Sequence, residues 1–123
     1  MAKILIAEDD QDIRELVTLT LQFNGHEVVS AVDGVQAVEK AEGETFDLIL
    51  MDVRMPRMTG YEACRRLREM ESTREIPIIF LSAKGQEAEI QAGLQAGATQ
   101  YILKPFAPDV LASRIDSVLA ESG

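Results

Sequence analysis

Five short apolar runs alternate with stretches of helical period along this chain, and that alternation restricts the folds open to it more than any other feature. Predicted strands cover residues 3–7, 27–32, 46–51, 76–81 and 100–103, and predicted helices cover 12–24, 35–42, 60–70, 86–96 and 108–120. The third run, FDLILM, is apolar almost throughout, as a strand covered on both faces must be. Strands that alternate with helices return parallel to one another through right-handed crossovers. The expected architecture is therefore α/β, a doubly wound five-stranded parallel sheet with five helices on both faces, and five strands suit the flavodoxin-like order 2-1-3-4-5. A chain of 123 residues is the size of one domain, 1–123, and no linker, repeat or low-complexity segment divides it.

The joins carry the chemistry that helix ends require. Asn24-Gly25 closes the first helix and Ala96-Gly97 the fourth, each with a residue that tolerates the left-handed conformation. Thr59 and Glu62 have capping-box spacing for the third helix, and Pro108 suits the first turn of the fifth, where its missing N–H is not needed. Asp10 and Asp12 read as N-cap acids of the first helix.

Twenty-one Asp and Glu against twelve Lys and Arg leave a formal charge of −9, which repels a phosphate backbone, so no direct nucleic-acid binding is expected. Arg65, Arg66 and Arg68 are interleaved with acids and read as a solvated helix face. No apolar run approaches the roughly 18 residues of a membrane helix, and the start, Met1-Ala2-Lys3, is not that of a signal peptide. With a single cysteine, Cys64, read as a small core residue, a cytoplasmic location without membrane contact is expected. His26, the only histidine, reads as a solvated turn residue.

In such sheets the ligand site lies beyond the carboxyl ends of the strands, at the point where strand order reverses. Glu8, Asp9 and Asp10 follow the first strand, Asp52 the third, Ser82 the fourth and Lys104 the fifth. Three carboxylates at one edge, about 5 Å apart, repel pairwise by roughly 3 kcal/mol at an effective dielectric near 20. A positive group must stand among them. Oxygen donors without His or Cys suit a hard cation that keeps several waters, Mg²⁺ above all, and Lys104 adds a second charge. A cation, a lysine and a hydroxyl around one carboxylate are what phosphoryl transfer needs, with Asp52 as nucleophile and no general base required.

The series ILIAEDD, LILMDVRMPRMTG, PIIFLSA and GATQYILKPF resembles, over the whole chain, the receiver domain of bacterial two-component response regulators of the single-domain, chemotaxis-regulator-like kind. The resemblance implies that Asp52 is the phosphoacceptor in a Mg²⁺-dependent reaction, with Mn²⁺ able to substitute. It implies Asp9, Asp52 and the backbone carbonyl of Arg54 as metal ligands, and Glu8 as a ligand through water. Ser82 and Lys104 would bind phosphoryl oxygens, Tyr101 would turn inward with Ser82 as the switch, and Lys104-Pro105 would be cis. Arg54 and Lys84 stand where receivers vary and would set the lifetime of the phosphorylated state. Partners implied are a sensor histidine kinase or histidine phosphotransfer protein as donor, and a downstream protein reached through the fourth helix, fifth strand and fifth helix. Receivers joined to winged-helix domains pair through charges on that face, where this chain has Ile90, Thr99, Gln100 and Val110, so a stand-alone regulator is expected. The alternative is a receiver cut from a longer DNA-binding or enzymatic regulator.

Rival chemistries fit less well. A flavin phosphate would be repelled by Glu8-Asp9-Asp10, and a dinucleotide enzyme would need a G-x-G-x-x-G run that is absent. An aspartate-nucleophile phosphatase would place its nucleophile after the first strand, with a second Asp two residues on, where Arg54 stands relative to Asp52.

Overall fold

A computed structural model describes residues 1–83 and 87–122. The elements run β1 (Lys3–Ala7), α1 (Gln11–Phe23), β2 (Glu27–Ala31), α2 (Gly34–Gly43), β3 (Leu48–Asp52), α3 (Gly60–Glu69), β4 (Ile78–Ala83), α4 (Glu87–Gln95), β5 (Gln100–Lys104) and α5 (Pro108–Ser122). All strand pairs are parallel, as the alternation predicted, in the expected order β2-β1-β3-β4-β5.

The pleat divides each apolar strand between two cores. Leu5, Ile49, Met51, Ile78 and Phe80 face one cluster with Ala37, Val38 and Ala41 of α2 and Ala63, Cys64 and Leu67 of α3. Ile4, Ile6, Leu48, Leu50, Ile79 and Leu81 face the other, with Val17 and Leu21 of α1 and Leu111, Ile115 and Val118 of α5. Every residue of β3 is buried, so its near-continuous apolar run is the consequence of being covered on both sides.

β3 and β4 begin two residues later than predicted. Phe46 and Ile76 are buried but lie in the connections, because apolar character marks burial and not ladder pairing. Asp47 is held by an exchange with Lys3, and Pro77, without an N–H, only accepts, from Ile49 at 2.9 Å. At their other ends, Asp52 and Lys104 are the last residues of their strands, and Ser82 lies inside β4.

Asp10 caps α1 by accepting from the Ile13 N–H, Thr59 caps α3 by accepting from Glu62, and Asp12 is a first-turn acid, not a cap. Gly25 and Gly97 take positive φ, +88° and +110°. Two further expectations are overturned. His26 is no solvated turn residue: its Nδ1 accepts from Ala2 N at 3.1 Å, its Nε2 lies 3.6 Å from Asp116, and its side chain is 8% exposed. Arg68 is no solvated helix residue either. Its guanidinium donates to the carbonyls of Gly97, Arg74 and Ile76, tying the loops after α3 and α4 together. Arg65 and Arg66 are exposed as read, and Cys64 is fully buried, its Sγ 3.5 Å from the Ala96 carbonyl.

Candidate functional site

The carboxyl ends of β1, β3 and β5 bring Glu8, Asp52 and Lys104 into one cluster. Glu8 follows β1 directly and is fixed there by its own N–H on the Ala31 carbonyl at 3.0 Å, by Arg14 donating to its carbonyl at 2.7 Å, and by the Asp10 N–H on Oε2 at 3.2 Å. Asp52 is held in the ladder opposite Leu81, with the Val53 N–H on the Leu81 carbonyl. Behind it α3 begins with a glycine because nothing larger fits: a Cβ on Gly60 would strike the Asp52 carbonyl.

The Lys104 Nζ lies 2.8 Å from Glu8 Oε1 and 3.2 Å from Asp52 Oδ1. Glu8 is fully buried and Asp52 nearly so, while Asp9 is exposed at the rim. Carboxylate oxygens of Glu8, Asp9 and Asp52 all lie within 4.8 Å of one another. Burial pushes the Glu8 carboxyl up to about 7; the Lys104 ammonium pulls it down and Asp52 adds to the rise. Burial works against the ammonium of Lys104, but its hydrogen bond with Glu8 and the charge of Asp52 outweigh that and raise its pKa. One ammonium among three acids leaves a surplus of negative charge, which an oxygen-preferring divalent cation would neutralise.

Ser82 is 2% exposed, and its Oγ has no hydrogen-bond partner among the described residues. A buried hydroxyl left so costs about 1–3 kcal/mol, which favours a ligand oxygen at the end of β4. Tyr101 is half-buried and packs against the core, opposite Phe80 in the ladder. Arg54 is exposed, the Lys104-Pro105 bond is cis, and Lys84 lies outside the described residues. Beside Lys104 an apolar groove of about 340 Å³ is lined by Ile13, Leu16, Pro105 and Phe106. Larger clefts, of about 570 and about 720 Å³, include none of the predicted site residues.

An ion pair next to the site escaped the sequence reading. Arg57, in the loop between β3 and α3, meets Asp33, the N-cap of α2, at 2.8 Å. The only local signal was an Asp-Gly pair ahead of a helical stretch; nothing in it points to a partner in a distant loop.

The family profile of the response regulator receiver domain matches residues 4–116. The alkaline phosphatase synthesis transcriptional regulatory protein PhoP of Bacillus subtilis (strain 168) is 38% identical over 120 residues, 98% of this chain and 49% of its own. The chain spans about half the length of the curated relatives it matches. Among solved structures, the receiver domain of the sensor histidine kinase PA1611 from Pseudomonas aeruginosa PAO1, with a magnesium ion coordinated in its active site cleft, has a TM-score of 0.91 at 35% identity, covering 97% of this chain and 98% of that one. The chemotaxis response regulator CheY4 of Vibrio cholerae has a TM-score of 0.91 at 39% identity, covering 96% and 98%.

Proposed function

The chain belongs to the response regulator receiver family of two-component signalling, and from that premise we propose that Asp52 is its phosphoacceptor. The observation that carries the reading is the buried pairing of Asp52 with Lys104 at 3.2 Å, in a cluster that also holds an unpartnered buried hydroxyl, Ser82. An Asp52 oxygen attacks phosphorus, the P–N bond of a donor phosphohistidine breaks, and the imidazole leaves with the electron pair of that bond. Lys104 and Ser82 receive the phosphoryl oxygens, and no side chain need remove a proton first.

Asp9, Asp52 and the Arg54 carbonyl would hold Mg²⁺, with Glu8 behind a water and Mn²⁺ as a substitute. When bound, the cation neutralises charge on the transferred group and on the acids around it. Phosphorylation adds nearly two negative charges, enough to bias a two-state element. Ser82 and Tyr101 would carry that bias to α4, β5 and α5, where Leu94, Leu103 and Val110 are exposed for a downstream protein. Arg54 and Lys84 would govern the approach of the hydrolytic water. The donor, a sensor histidine kinase or histidine phosphotransfer protein, would dock on the groove at Ile13, Leu16 and Phe106. No helix among the described residues is long and apolar enough to cross a membrane, which suits a cytoplasmic switch. A stand-alone receiver and the receiver portion of a longer regulator, such as PhoP, differ in output alone.

Intact-mass analysis after addition of a small acyl phosphate with Mg²⁺ tests the core of this. One phosphoryl group on the native chain and none on Asp52→Asn is expected; equal labelling of both overturns it. The dephosphorylation rates of Arg54→Ala and Lys84→Ala test the two cations, and unchanged rates in both remove them from the scheme.

A further inference from the structure

Five residues beyond Asp52 the backbone turns in the left-handed sense. Arg57 has φ +66°, and across it the Met58 N–H donates to the Pro56 carbonyl at 2.7 Å. A three-residue turn of this hand is rare and strained for a residue that carries a Cβ, and it persists only where the surroundings over-determine it.

The surroundings are the start of α2. The Arg57 guanidinium closes on the Asp33 carboxylate by two hydrogen bonds, Nε to Oδ2 at 2.8 Å and Nη2 to Oδ1 at 3.3 Å. The Arg57 side chain is 58% exposed, and exposed ion pairs contribute little, but Asp33 is only 5% exposed and its Oδ1 is already fixed by the Gln36 N–H at 2.8 Å as the cap of α2. The guanidinium lowers the pKa of the acid, against the opposing effect of burial. Gly34, next in the chain, sits so close to Met58 that a Cβ there would strike the Met58 carbonyl. Two successive residues of the α2 start thus meet two successive residues of the turn.

Glu8 is fixed by its bond to β2 and Asp52 by the ladder; Val53 is held by the Leu81 carbonyl and the Gly60 N–H, and Arg54, next after it, is the one proposed ligand that belongs to the β3–α3 loop. We propose that Asp33 and Arg57 are positioning residues that hold the β3–α3 loop in its strained turn and thereby set the affinity of the site for a divalent cation. The inference rests on the reading of Glu8, Asp9, Asp52 and the Arg54 carbonyl as a cation site. Without the pair the turn relaxes, the carbonyl leaves its place, and the cation must order the loop itself.

Charge alone predicts the opposite sign, because deleting a guanidinium near an acidic cluster should tighten cation binding. Calorimetric Mg²⁺ titration of the whole chain, with hydrogen exchange of the Met58 amide in the metal-free protein, separates the two. Arg57→Ala and Asp33→Asn, the latter keeping the cap, should each weaken Mg²⁺ about fivefold and speed Met58 exchange. The double variant should be no worse than the weaker single one. Arg57→Gly, which relieves the φ strain, should retain more affinity than Arg57→Ala. Unchanged or tighter binding in Arg57→Ala, or a Met58 amide exchanging at the native rate, would overturn the inference. A native chain that binds no Mg²⁺ would overturn the cation-site reading itself.

Discussion

Ser82 and Glu8 are the residues whose present surroundings suit them least. The buried Ser82 hydroxyl lacks a partner among the described residues, so Ser82→Ala should leave stability unchanged or raise it, by up to about 1–3 kcal/mol, in urea unfolding. The same variant should hold less phosphoryl group at steady state by intact mass, a separation of stability from function that a packing residue would not produce. Glu8 titrates near 7 in the folded chain against 4.5 ordinarily, so the folded state takes up its proton first. The penalty of the buried charge is fully present above pH 7 and is relieved as pH falls toward 4.5. The metal-free protein should gain up to about 3 kcal/mol from this group across that window. Urea unfolding at about pH 5 and about pH 8 should show the gain in the native chain and its loss in Glu8→Gln. Saturating Mg²⁺ should reverse the trend, because a cation competes with the proton for the same acids.

The elements differ in how openly the chain declares them. Strands and helices follow from local signals: apolar runs, Gly25 and Gly97 at the stops, Asp10 and Thr59 at the starts. The convergence of Glu8, Asp52 and Lys104 follows as well, since strand order and strand ends suffice to derive it. What stayed hidden joins residues far apart whose types carry no local mark. His26 meets Ala2 and Asp116, Arg68 meets Gly97, and Arg57 meets Asp33. The two-residue error at β3 and β4 has another cause, in that Phe46 and Ile76 are buried without being paired. The start of α3 yields a sharp test. Gly60→Ala should destabilise by about 1–3 kcal/mol, because Asp52 must move to admit the methyl group. Gly43→Ala, which meets nothing within 4 Å, should be neutral or stabilising, and chemical unfolding of the pair compares them directly.

The whole molecule is two apolar half-cores on one sheet, with a net charge of −9 and its densest buried acids at a single edge. A cation that binds only the folded chain stabilises it by mass action, by about 2.7 kcal/mol at a concentration 100-fold above its Kd. Saturating Mg²⁺ should therefore raise Tm by several degrees, and Asp9→Asn should remove most of the rise. Thermal unfolding with and without Mg²⁺ measures both. The ion pair between Glu8 and Lys104 spans 96 positions of sequence, from the end of the first strand to the end of the last. Chains are synthesised at about 5–20 residues per second, so Glu8 is made roughly 5–20 s, and Asp52 roughly 3–10 s, before Lys104 exists. Only when β5 docks on β4 does Asp52 meet its counter-ion, Lys104. A half-made chain consequently lacks this cluster, and assembly of the site waits on completion of the sheet.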